Sequence, residues 1–214
     1  MAYTLSEKYF MLAIPKKGKF GTFKSEKKLL LVAAGLSQLL IEKTIKLEKK
    51  TFEVVGPLQE DSTEIKPIFD VLEKKPLKIW KIVRKFMVGV RARRQFGALL
   101  TSVGTSLKNK NALEENPTEK LFIPKKSEID PIVAKLRDEL LGDEELSEEN
   151  VALAFLLHEA NKLKEYFSED EVKTIDDKLE NIENTEANQP VKDMVKSLKV
   201  MHAIILGLMA TTHV

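Results

Sequence analysis

Apolar residues recur at helical spacing through most of the chain. The densest case is 151–167, VALAFLLHEANKLKEYF, whose first seven residues are all apolar and whose Ala160, Leu163 and Phe167 continue the pattern. A helix that is apolar on nearly every side must be covered on nearly every side. No strand reading runs that far without a turn signal. Ser147 is placed to cap it, with Glu148 and Glu149 in the first turn, where the helix dipole favours negative charge. The pattern therefore predicts a central buried helix. His158 lies on it, and a lone histidine there is expected to be packed or hydrogen-bonded rather than catalytic.

The remaining elements follow from the same periodicity. Thr4 with Glu7 makes a capping box for a helix over 5–14, stopped by Pro15. A basic loop, KKGKFGTFKSEKK, leads to Ser25, a cap for a helix over 26–42. The small residues Ala33, Ala34 and Gly35 on that helix allow another helix to approach closely. Alternation over 44–47 and 51–55 predicts a hairpin turning at Lys49–Lys50. Further helices are predicted around 65–72, at 79–87 with Trp80 on its apolar stripe, and over 90–107 with Val90 and Phe96 on its stripe. A second hairpin joins 111–113 to 120–123. Asp130–Pro131 opens the next helix, which Gly142 ends. Ser168 with Glu171 caps a helix reaching Ile182, and the last helix follows Pro190. The expectation is a mainly α fold: one helical domain over 1–214 with about eight helices and two small hairpins.

Charge adds a second pattern. The net charge is only +2, but between Lys74 and Leu113 there are eleven lysines or arginines and no acid, so the remainder carries −9. Such asymmetry points to an anionic partner. Lys81, Arg84 and Lys85 lie one turn apart and can converge, and Arg91, Arg93 and Arg94 follow closely. Guanidinium forks suit phosphate oxygens. Six lysines also crowd 16–28, around Phe20 and Phe23 and next to a helix start.

Several classes of chemistry are excluded. With no cysteine there is no disulfide, thiolate metal site or cysteine nucleophile. The three histidines have no metal-ligand spacing, and the glycines make no phosphate loop. No cofactor, metal or catalytic constellation is expected. Glu7 and Lys8 interrupt any signal-like run, and the eleven-residue stretch 200–210 is too short to span a bilayer.

Four stretches together resemble the Golgi phosphoprotein 3 family, across about 3–209 and in the right order. YTLSEKYFMLAIPKKGKFGTF resembles its opening, and AAGLSQLLIEKTIKLEKKTFEVV its helix followed by a strand. LKNKNALEENPTEKLFIP resembles its hairpin, and VALAFLLHEANKL its core helix. The resemblance implies a mostly helical adaptor without catalytic activity. In eukaryotic members a shallow basic pocket binds the phosphatidylinositol 4-phosphate headgroup, a hairpin approaches the bilayer, and Golgi membrane proteins are recruited. By the same resemblance Phe23 stands at the pocket tryptophan, while Val32, Gly97 and Leu100 stand where that pocket has arginines. Lys24, Lys27 and Lys28 offer charge from the loop side, and Arg91, Arg93 and Arg94 lie one or two turns before the arginine pair. Leu121 and Phe122 are the apolar residues of a hairpin whose tip, EENPTE, is polar.

The reading is a cytoplasmic, peripherally membrane-associated adaptor. Phe23, Lys24, Lys27, Lys28, Arg84, Arg91, Arg93 and Arg94 are its candidate phosphate-binding residues, and Leu121 and Phe122 its membrane-proximal ones. The partner is an anionic phospholipid or phosphoinositide headgroup. Tails of membrane proteins and a second copy of the chain stay open as further partners. Two alternatives also stay open: a regulatory module whose basic face meets an acidic protein, and a winged-helix nucleic-acid binder. Against the latter, the 90–107 helix offers Gly97, Ala98, Thr101 and Ser102 at its middle rather than base-reading side chains.

Overall fold

The computed structural model describes residues 2–14, 25–115, 122–142, 144–184 and 187–211. The fold is mainly α. Its elements are α1 (Leu5–Ala13), α2 (Ser25–Ile41), β1 (Ile45–Glu48), β2 (Thr51–Val54), α3 (Lys66–Leu72), β3 (Leu77–Lys78), α4 (Ile79–Met87), α5 (Val90–Asn109), α6 (Lys126–Leu141), α7 (Glu148–Glu159), α8 (Glu169–Asn181) and α9 (Gln189–Thr211). Short 3-10 turns precede α3 and follow α7 and α8.

α7 is the hub. Every residue from Asn150 to Leu157 is buried, and α1, α2, α6, α8 and α9 all pack around it. α2 is nearly as enclosed, with Leu29 to Ala34, Leu36 and Leu39 all buried. The close approach predicted at Gly35 is present: a Cβ there would sit 2.3 Å from Ile68 Cδ1 of α3. Both predicted capping boxes form, Thr4 with Glu7 and Ser168 with Glu171, and Ser147 Oγ accepts from the Asn150 N–H.

Three expectations need correction, and a fourth holds with an addition. The central helix stops at Glu159 because Asn161 adopts a left-handed backbone, φ 53°, which asparagine tolerates at a helix end. Leu163 and Phe167 still reach the core, but from the turn that follows. α6 begins at Lys126, not Asp130, so Pro131 lies inside it and one intrahelical bond is lost. The first hairpin turns through Lys49 and Lys50, both at positive φ as a two-residue primed turn requires. It gains an unforeseen third strand, with Phe52 opposite Leu77. Of the second hairpin the described residues show one bridge, Leu113 with Pro124, flanked by Glu114 N–H to Ile123 O at 2.8 Å. Its Leu121 lies outside the described residues. Phe122 turns inward onto Phe10, with ring centroids 5.9 Å apart, and lies against Gly104 of α5. Phe122, expected to be membrane-proximal, is instead packed against the core.

A buried polar network joins α1, α2 and the turn before α3. Gln38 Nε2 donates to Ser62 Oγ at 2.7 Å and to Glu64 Oε1 at 2.9 Å, and Thr4 Oγ1 donates to the same oxygen at 2.7 Å. Ser62 also donates to Glu42. One oxygen of Glu64 and one of Glu42 are buried without a partner. Burial pushes both carboxyls above the usual range, although their hydrogen bonds pull the other way.

Two outcomes follow. A glutamate whose folded pKa is raised stabilises the fold below its unfolded pKa, and that contribution is lost as pH rises through the folded value. Glu64→Gln is therefore expected to gain stability over wild type towards neutral pH and to flatten the stability–pH curve above about pH 4.5, by urea unfolding from pH 4 to pH 8. An unchanged slope would contradict this. Gly104→Ala would place a Cβ 2.0 Å from the Phe122 ring. It is expected to cost about 1–3 kcal/mol in the same assay.

Candidate functional site

α4 has two faces of opposite character. Ile79, Ile82, Val83 and Phe86 are buried, whereas Trp80, Lys81, Arg84 and Lys85 are exposed. The four buried positions complete the apolar stripe by themselves. Trp80, one residue past Ile79, points about 100° away from it, and its 39% exposure corrects its expected place in the core. Val90 is likewise off its expected stripe, at 81% exposure.

After Met87 the chain turns sharply. Val88 N–H bonds back to Arg84 O at 3.0 Å, and Gly89 takes φ 89°, ψ 179°, a conformation that suits only glycine. α5 then starts with Arg91, Arg93 and Arg94 in its first turns and no acid there. The positive end of its dipole is thus left beside like charges.

These elements enclose a groove of about 540 Å³ between α3, β3, α4 and α5. Lys75, Lys81, Arg84, Lys85 and Arg91 line it with Val71, Leu77, Trp80, Val88, Ala92 and Gln95. Gln95 Nε2 donates to Pro67 O at 2.7 Å and pins α5 to the start of α3. Lys81 Nζ stands 5.4 Å from the centre of the Trp80 ring. Of the eleven cations in the acid-free stretch, Lys110 is neutralised by Glu7 at 2.6 Å, and the other ten form no ion pair with a described carboxylate.

The groove gathers some of the expected residues and not others. Arg84 and Arg91 line it. Lys75 and Trp80 belong to it although the sequence did not single them out as ligands. Their convergence is tertiary, and no local spacing signals it. Arg93 and Arg94 are exposed but do not line the groove. At 100° per residue Arg93 leaves α5 on the opposite flank of its buried stripe from Arg91, and Arg94 points outward. Lys28 is also off the groove lining, with Nζ 5.8 Å from the centre of the Phe96 ring. Lys27 is half-buried nearby on α2. Phe23 and Lys24 lie outside the described residues. Val32 is buried in the core, and Gly97 and Leu100 are half-buried, so none of the three supplies charge.

Other concavities are chemically quieter. A hollow of about 670 Å³ beside α1 and α6 is mostly apolar, and its Lys126 and Arg137 are paired with Asp130 and Glu171. In a smaller cleft His158 Nδ1 meets Asp176 Oδ1 at 2.5 Å, which agrees with a hydrogen-bonded histidine, though on an exposed side. His202 Nε2 lies 2.8 Å from Glu159 Oε2 without hydrogen-bond alignment. Among the described residues no group of three histidine or carboxylate side chains is placed to hold a metal, and no helix is long and apolar enough to cross a membrane.

The fold and groove define a class: a mainly helical protein that presents uncompensated cations on a concave surface. The family is then specific. The sequence profile of the Golgi phosphoprotein 3 (GPP34) family matches residues 5–198, and the chain belongs to that family. Its members are non-catalytic adaptors, so this chain is not expected to turn over a substrate. No curated protein sequence matches the chain at a significant level.

Trp80 is the sole tryptophan and reports on the groove's potential. Its fluorescence is expected to be quenched strongly by iodide and weakly by caesium, and Lys81→Glu with Arg84→Glu should sharply reduce that difference. Equal quenching by the two ions in the wild type would contradict a positive groove.

Proposed function

We propose that the groove binds the phosphates of acidic phospholipids and holds the protein peripherally on an anionic membrane, where it serves as an adaptor. The observation that carries this reading is the convergence of Lys75, Lys81, Arg84, Lys85 and Arg91 on one concavity without a described carboxylate among them. Cations with no described acidic partner are available to an external anion. Family membership supplies context for a peripheral adaptor.

The magnitude is adequate. A lysine or arginine near an anionic bilayer contributes about 1 kcal/mol, so five contribute roughly 5 kcal/mol, a partition gain of a few thousandfold. Arg93, Arg94, Lys27 and Lys28 add further positive charge outside the groove.

Phosphoinositides, including phosphatidylinositol 4-phosphate, have this chemistry. The reading here is selection by charge density rather than by one headgroup, because Val32, Gly97 and Leu100 are uncharged. Anionic lipid is concentrated on the cytoplasmic leaflet, which makes that face the proposed site of action, and tails of membrane proteins the proposed cargo.

Co-sedimentation with phosphatidylcholine vesicles, with and without phosphatidylserine, tests the reading. Binding is expected only with the anionic lipid and should fall steeply with salt. Arg84→Glu with Arg91→Glu should weaken it on the order of 100-fold or more, and Lys27→Glu with Lys28→Glu much less. Equal binding to both vesicles, or no effect of the arginine reversals, would overturn it. Tighter binding to duplex DNA than to anionic vesicles would favour the nucleic-acid alternative instead.

A further inference from the structure

The corner between α4 and α5 carries an apolar tip inside the basic ring. Among the described residues five large apolar side chains are exposed, and three of them, Trp80, Val88 and Val90, lie at this groove and corner. Val88 is 50% exposed and Val90 81%. Gly89 between them has nothing within 4 Å of where a Cβ would stand, so the tip faces open space. Arg84, Lys85 and Arg91 surround it.

We propose that this corner is a wedge that enters the bilayer interface, a step that rests on the lipid reading above. Val88 and Val90 go in among the upper acyl carbons. The flanking cations stay at the phosphates, their stems lying along the apolar tip while their heads remain solvated. Trp80 takes the headgroup level, where an amphipathic ring is favoured. Apolar burial and attraction to anionic lipid then act together, as at interfacial helices.

Charge selects this occupant over a second copy of the chain. Two copies meeting at the corner would bring Arg84, Lys85 and Arg91 of each against the same cations of the other, with no described acid to separate them. An anionic bilayer offers apolar depth and negative charge in the required order. Phe122 is not an equivalent wedge residue, because it is packed against Phe10.

Trp80 fluorescence of the full chain on phosphatidylcholine–phosphatidylserine vesicles reads the insertion. The expected result is a blue shift, with quenching by lipids brominated near the top of the acyl chain and less by deeper bromines. Val88→Ser with Val90→Ser changes only exposed positions and should leave thermal unfolding unaltered. This variant should still bind anionic vesicles at low salt, about tenfold or more weakly, and should lose the salt-resistant bound fraction that the wild type keeps. Three results would overturn the wedge: anionic binding with unchanged Trp80 emission, equal salt resistance of the serine variant, or a wild-type dimer that the variant abolishes. Absence of any binding to anionic vesicles would overturn the underlying lipid reading, and the wedge with it.

Discussion

The constraint on which the functional surface depends is electrostatic and local. The forty residues from Lys74 to Leu113 contain no acid, so cations on α4 and α5 cannot pair within their own helices. Both helices must also bury an apolar stripe, Ile79 to Phe86 on one and Ala92 to Leu107 on the other. Side chains off those stripes are driven outward and towards one another in the groove where the helices meet. Acids elsewhere are engaged at a distance, as with Glu149 on Lys8 and Glu171 on Arg137. Of the cations in this stretch Glu7 pairs only with Lys110, just past the far end of α5. Positive charge therefore accumulates at the end of α5 where the helix dipole reinforces it.

The rest of the fold holds that arrangement in place. α7 and α2 are enclosed on all sides, which gives the outer helices a fixed surface to pack on. Gln95 anchors the start of α5 to Pro67, and the buried Gln38 network fixes the turn that leads into α3. Most of the groove lining is thus carried by helices held by core contacts.

The parts of this molecule that sequence reveals are those encoded within one or two turns. Thr4 with Glu7 and Ser168 with Glu171 declare their helix starts because both partners of each capping pair are three residues apart. The central helix was legible from its apolar run, but its end was not: Asn161 reads as one more polar position until its left-handed backbone is seen. The two-residue strand at Leu77 has no period to detect. At the site, the convergence of Lys81, Arg84 and Lys85 follows from spacing. The participation of Lys75, the exposure of Trp80 and the separation of Lys28 from Arg91 depend on how α2, α3 and α5 pack. The family likeness added the expectation of a basic pocket. The cations that line the groove are nevertheless not at the positions carried over from that pocket, since Val32 is buried.

The central claim is that one face, centred on the α4–α5 corner, meets the membrane. Nuclear magnetic resonance of the isotope-labelled full chain, observing backbone amides and arginine Nε–Hε groups with and without phosphatidylserine nanodiscs, tests it most directly. The account predicts the largest perturbations at Lys75, at residues 80–91 and at the side chains of Arg84 and Arg91, with α6 and α8 unaffected. Perturbations centred on α6, on α8 or on the 112–125 segment, with the groove signals unchanged, would contradict it.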